Sequence, residues 1–179
     1  MLSWFVERRH RKRTAQNLYG SIVAQTRKPA FYAELGVPDT VEGRFELLVL
    51  HVFLVLDGLR GAGAKGEALA QQLIDIFIAD MDTTMRELGV GDMAVAKKMR
   101  SLADVFYQRL ADYREAIGES ADNERLKQLL SEYLQSGASP NDALAGALAG
   151  YALGTKQAFE KLSWERLEAG ELEFYNIAA

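Results

Sequence analysis

The stretch FIADMDTTMRELGVGD, Phe77 to Asp92, gathers Asp80, Asp82, Glu87 and Asp92 around Arg86 and then runs into two glycines. Closely spaced carboxylates can hold a divalent cation, and D-M-D opens a calcium loop on paper. Such a loop also needs an oxygen ligand at its fifth position, glycine at its sixth and a bidentate glutamate at its twelfth. Counted from Asp80, those positions hold Thr84, Met85 and Gly91, so the calcium reading fails. On a helix, Asp82 and Arg86 lie four residues apart and pair across one turn, worth only about 0.2–0.5 kcal/mol. Glu87 falls in the last turn, where the free carbonyls and the dipole disfavour an anion. A cation elsewhere in the fold, or on a partner, would account for it. The charged face is therefore either an internal brace or a recognition surface.

Other chemistry is sparse. Glu7-Arg8-Arg9-His10 is formally E-x-x-H, half of a di-iron pattern, but it occurs once and further cations follow it. His51 stands inside the apolar run Leu47 to Leu56 and reads as a core histidine with a hydrogen-bond partner. The chain has no cysteine, which excludes disulfides, thiolate metal sites and a cysteine nucleophile. No G-x-S-x-G elbow accompanies His51, and GAGAKG lacks the ending and the preceding strand of a phosphate loop. No metal, cofactor or catalytic residue is expected.

Two patterns suit contact better than catalysis. The segment MLSWFVERRHRKR puts Trp4 and Phe5 beside Arg8, Arg9, Arg11, Lys12 and Arg13. Aromatic and cationic residues together suit an anionic membrane surface, the cations alone suit RNA phosphates, and a solvated terminus would need neither. Further on, Gly146, Gly150 and Gly154 recur every four residues among alanines, leaving one helix face almost bare. Each glycine costs a helix up to about 1 kcal/mol relative to alanine, so close approach of another helix, internal or from a partner, should compensate.

The elements that would carry these residues are helical. A length of 179 residues fits one domain, and 49% apolar with 26% charged residues describes a packed protein. The net charge of -4 conceals a basic head, since residues 1 to 28 hold seven cations against Glu7 alone. We expect an all-α single-domain bundle of about six helices. The first spans Thr14 to Arg27 and stops before Pro29. An ordered linker follows, with Phe31, Tyr32 and Leu35 on the body. A second helix is capped by Asp39 with Glu42 and is apolar on nearly every side, hence central. The third, Lys65 to Leu88, has the stripe Leu69, Leu73, Ile74, Phe77, Ile78, Met81, Met85 and Leu88. The fourth, capped by Asp92, has Val95, Met99, Leu102, Phe106, Leu110, Tyr113 and Ile117. The fifth spans Ala121 to Gln135, and the sixth runs from the Ser139-Pro140 start to about Leu167. Phe174 and Tyr175 of the tail should dock. The longest apolar run is about half the length that a bilayer crossing needs.

YGSIVAQTRKPAFYAELGVPDTVEGRFELLVLHVFLVL and FIADMDTTMRELGVGDMAVAKKMRSLADVFYQRLADY, in that order, resemble the ubiquinol-cytochrome c chaperone family, assembly factors of the cytochrome bc1 complex. Asp80, Asp82, Arg86, Glu87, Gly89, Gly91 and Asp92 match its motif, as do Gly43, Arg44 and Phe45. The resemblance implies a non-enzymatic helical chaperone domain over 14–179, behind a basic head at 1–13. It also implies newly made cytochrome b as client, no cofactor, and a small partner protein in the mitochondrial members. The short head suits a member of the bacterial cytoplasm better than one of the mitochondrial matrix. The alternative is a helical RNA- or ribosome-binding module that uses the basic N-terminus.

Overall fold

The first helix, α1 (Leu2–Thr26), begins well before Thr14 and carries the cationic residues in regular helix. Arginine and lysine are good helix formers, and no breaker separates them from the buried stripe of Ala15, Leu18, Tyr19 and Ile22, so the helix propagates back from that stripe. The structure, a computed structural model, describes residues 2–118, 123–134 and 142–177, with residues 2–4 by backbone alone. The linker is ordered as expected. It forms α2 (Pro29–Ala33), buries Phe31 completely and lays Tyr32 and Leu35 against the core.

Helix α3 (Val41–Leu59) is capped by Thr40, not by Asp39: the Thr40 hydroxyl accepts from the Gly43 amide at 3.1 Å. Asp39 pairs with Arg44 instead. Starting the cap one residue later puts Gly43 where the acid of a capping box would stand, so the box does not form. Every residue from Val49 to Leu56 is buried. A helix without a polar face needs neighbours all round, and α3 is packed by α1 and by three later helices. By length and composition the helical stretch Val41–Glu87 contains a window apolar enough to cross a bilayer, longer than the Leu47 to Leu56 run suggested. With 56% of that window buried inside the fold, it serves as core.

GAGAKG is not a loop. Arg60–Ala62 makes one 3-10 turn, and α4 (Gly63–Glu87) starts immediately after it. A Cβ on Gly66 would stand 2.1 Å from the Leu59 carbonyl oxygen, so only glycine lets α4 double back so tightly on the end of α3. Leu69, Leu73 and Phe77 are buried, with Ile74, Ile78 and Met81 against the same core. The expected stripe fails beyond Met81: Met85 lies outside the core and Leu88 is 64% exposed. Six more residues than α3 make α4 about 9 Å longer, so its end outruns the helix it packs on.

Helix α5 (Asp92–Gly118) returns antiparallel and stacks Phe106 on Phe77 with ring centroids 4.5 Å apart. Leu110, Tyr113 and Ile117 continue the core, while Val95 is buried apart from it. Then come α6 (Asn123–Tyr133), with Leu126, Leu129 and Leu130 inward, and α7 (Asp142–Glu160). The Ser139-Pro140 start lies outside the described residues. Helix α7 ends short of Leu167, because Ser163 caps a new helix, α8 (Trp164–Ala169), by accepting from the Arg166 amide. The tail docks as expected: Phe174 meets Phe159 and His51 at centroid distances of 5.3 and 5.4 Å. No strand occurs among the described residues, and the architecture is an all-α single domain.

Two glycine substitutions separate packing from propensity. Gly66→Ala should lose roughly 1–3 kcal/mol in urea unfolding, because the added methyl has no room. Gly150→Ala, where nothing lies within 4 Å of the added carbon, should gain roughly 0.5–1 kcal/mol from helix propensity alone.

Candidate functional site

The turn between α4 and α5 is built by its own sequence. Gly89 has φ +79, a conformation that ends a helix and that glycine adopts without a Cβ penalty. The Gly89 amide then donates to the Arg86 carbonyl and the Val90 amide to that of Met85, the paired bonds of a Schellman cap. Arg86 closes the turn from outside: its Nε donates to Asp82 at 2.7 Å, and its Nη1 reaches Asp92 at the start of α5. These pairs are exposed, and such pairs contribute only ~0.2–1 kcal/mol each. Their effect is on direction, since they tie the two helix ends together. Asp80 accepts from the Tyr19 hydroxyl at 2.7 Å and so braces α4 against α1. Glu87 is exposed, with no ion pair among the described residues.

Of the charged face, four residues are thus occupied by the fold and one is free. What the tip displays is apolar. Leu88 is 64% exposed and Met93 94%, five residues apart across the turn. The heptad-like stripe concealed this, because periodicity names the inward side of a helix and not whether anything lies there. Met93 falls off the Val95 and Met99 stripe, and that was the available signal.

The remaining sequence-predicted residues lie elsewhere. Gly154 holds the ring of Tyr175, whose atoms come within 2.6 Å of an added Cβ. Gly146 has only the Lys127 Cε nearby, at 3.6 Å, and Gly150 faces open space. The stripe therefore receives the C-terminal tail at one end and no helix backbone. On α1, Phe5 is 55% exposed and Arg8, Arg9, Arg11, Lys12 and Arg13 are exposed as well. The Trp4 side chain lies outside the described residues.

The comparison that decides identity covers most of this fold: the model of the ubiquinol-cytochrome C chaperone family matches residues 33–174. The chain belongs to that family. It is 22% identical over 151 residues to "Ubiquinol-cytochrome-c reductase complex assembly factor 1" of Xenopus laevis, covering 75% of this chain and 76% of that protein. The mouse protein of the same name is 23% identical, and the match spans 75% of this chain but only 51% of that one. Among solved structures, the Cbp3 homolog from Brucella abortus superposes with a TM-score of 0.85. It is 34% identical, with 99% of this chain and 98% of that one covered.

Within this member of the ubiquinol-cytochrome c chaperone family, two buried polar networks hold the bundle together. His51 Nδ1 donates to the Leu47 carbonyl at 2.7 Å, which leaves Nε2 to accept from the Tyr151 hydroxyl at 2.7 Å. Gln25 donates to the same hydroxyl, so α1, α3 and α7 meet there. The second network was not legible, because its partners stand 63 residues apart: Arg109 of α5 binds the buried Glu46 of α3 through both Nε and Nη2. The guanidinium also lies 3.3 Å from the Tyr133 ring of α6. Burial pushes the Glu46 carboxyl up and Arg109 pulls it back. Both networks are closed on themselves. A cleft of about 600 Å³ beside α8 is lined instead by Asp57, Lys65, Phe159, Glu160 and Trp164, among others. Among the described residues, no three histidine or carboxylate side chains are placed to hold a metal ion.

Burial lowers the His51 pKa to about 4 from its ordinary value of 6.5. Between those values the unfolded chain carries a proton that the folded chain refuses, so stability falls as pH drops. The loss from this group should reach roughly 3 kcal/mol by pH 4. Unfolding free energies measured from pH 7 to pH 4 should therefore fall less steeply in His51→Gln than in the parent.

Proposed function

We propose that the chain is a non-enzymatic chaperone that binds newly made cytochrome b for assembly into the ubiquinol-cytochrome c reductase complex. Family membership and the relatives' names support the assembly role. The observation that carries the binding role is the α4–α5 tip, where Leu88 and Met93 stand open to solvent on a turn fixed by Arg86. Four of the chain's five methionines, Met81, Met85, Met93 and Met99, lie on this hairpin. Methionine is unbranched and polarizable, so it fits apolar partners of varied shape. The client is a membrane protein whose apolar segments are unpaired until assembly, and such segments are the partner chemistry that a projecting apolar tip suits. The free carboxylate of Glu87 adds a site for the cations that flank membrane spans on the cytoplasmic side.

Deleting the gene should lower the assembled complex, and cytochrome b should co-purify with the reintroduced chain. The Leu88→Ser/Met93→Ser variant changes only exposed positions, so it should fold normally. It should nevertheless hold cytochrome b about tenfold more weakly, from the loss of two apolar contacts. Normal complex levels in the deletion strain would contradict the chaperone role. Full retention of cytochrome b by the double variant would place its contact elsewhere on the fold.

A further inference from the structure

The outward side of α1 is as regular as its inward side. Ala15, Leu18 and Ile22 face the core, and the opposite arc carries Phe5, Arg9, Lys12, Arg13 and Gln16, at intervals of four, seven, eight and eleven from Phe5. Val6, 65% exposed, stands at the edge of this arc, where it also borders a cleft lined by His10, Thr14, Leu69 and Trp164. All these residues are open to solvent, and Arg9, Arg11, Lys12 and Arg13 have no ion pair among the described residues. Between Phe5 and Arg13 the chain has five cations against Glu7 alone, on a protein whose net charge is -4. Because α1 is one unbroken helix, these side chains are held in line by the stripe that anchors its second half in the bundle.

We infer that the first three turns of α1 dock on an anionic lipid surface, with Phe5 and Val6 entering the headgroup layer and Arg9, Lys12 and Arg13 over lipid phosphates. The cations alone would suit nucleic acid equally, and Phe5 could stack on a base. The adjacent pair of exposed apolar side chains, Phe5 and Val6, favours lipid, since a hydrocarbon-rich layer accepts both while base stacking accepts only the ring. A short arc with one aromatic, one aliphatic and a few cations gives weak, reversible attachment, strongly dependent on salt. The inference rests on the helix and not on the cytochrome b reading. The tip of the α4–α5 hairpin plays no part in it.

The test is co-sedimentation of the full chain with vesicles of phosphatidylcholine alone and of phosphatidylcholine mixed with phosphatidylglycerol. The chain should bind the anionic vesicles and not the zwitterionic ones, and binding should weaken as salt is raised. Arg9→Glu/Lys12→Glu/Arg13→Glu should weaken it about a hundredfold or more, from the loss of three lipid-facing cations. Phe5→Ser/Val6→Ser should weaken it about tenfold at constant charge. Circular dichroism should show both variants as helical as the parent, since every changed side chain is exposed. Equal binding to the two kinds of vesicle would overturn the inference, as would unchanged binding by either variant. A short single-stranded RNA that is held more tightly than the vesicles and displaces them would also overturn it, and would make this face a nucleic-acid site.

Discussion

Helix α3 has no side that can be left in water, and the bundle is arranged around that fact. With Val49 to Leu56 buried without interruption, α1, α4, α5 and α7 must all pack against one helix. The two polar residues that α3 takes inside then select the partners on two of its sides. His51 needs a hydroxyl and finds Tyr151 of α7, while Glu46 needs a cation and finds Arg109 of α5. Removing one member of such a buried pair strands the other, so these contacts fix which helix lies where more than they add stability.

The length of α3 also sets what projects from the body. Helices α4 and α5 are longer than α3, so their joined ends extend past the core that stabilises the rest. Beyond Met81, apolar residues on this hairpin have little to pack on except each other, and Leu88 and Met93 have water. A protruding pair of helices would be free to splay, and the Schellman cap with the Asp82–Arg86–Asp92 staple counters that within the turn itself. Asp82, Arg86, Gly89 and Asp92 thereby have an architectural part in the turn, while Glu87 stays open to solvent. They hold an apolar tip at a fixed distance from the core.

Much of this was legible in the sequence, and the gaps have physical causes. Continuous apolarity identified α3 as central, and aromatics between two prolines identified a docked linker. The basic head at 1–13 was set apart from the first helix because its charge is concentrated, yet nothing in residues 2–13 breaks a helix once Leu18 and Ile22 anchor its other half. Met85 and Leu88 kept the period of a core stripe after the core had ended. The glycines of α7 called for a close neighbour and obtained one only at Gly154, where an aromatic ring of the tail takes the place of a helix backbone. Ser163 starts α8 where the apolar pattern runs on without a break, so the local cap outweighed the period. The Glu46–Arg109 pair depends on tertiary placement that no local spacing encodes.

The division between a closed, polar-locked core and an open apolar tip is most directly tested by hydrogen exchange on the intact chain, with and without cytochrome b. Amides of residues 85–95 should slow when cytochrome b is present, while those of α3, already protected by the bundle, should not change. Protection that leaves residues 85–95 untouched and appears on another face would contradict the assignment of the tip as the contact surface.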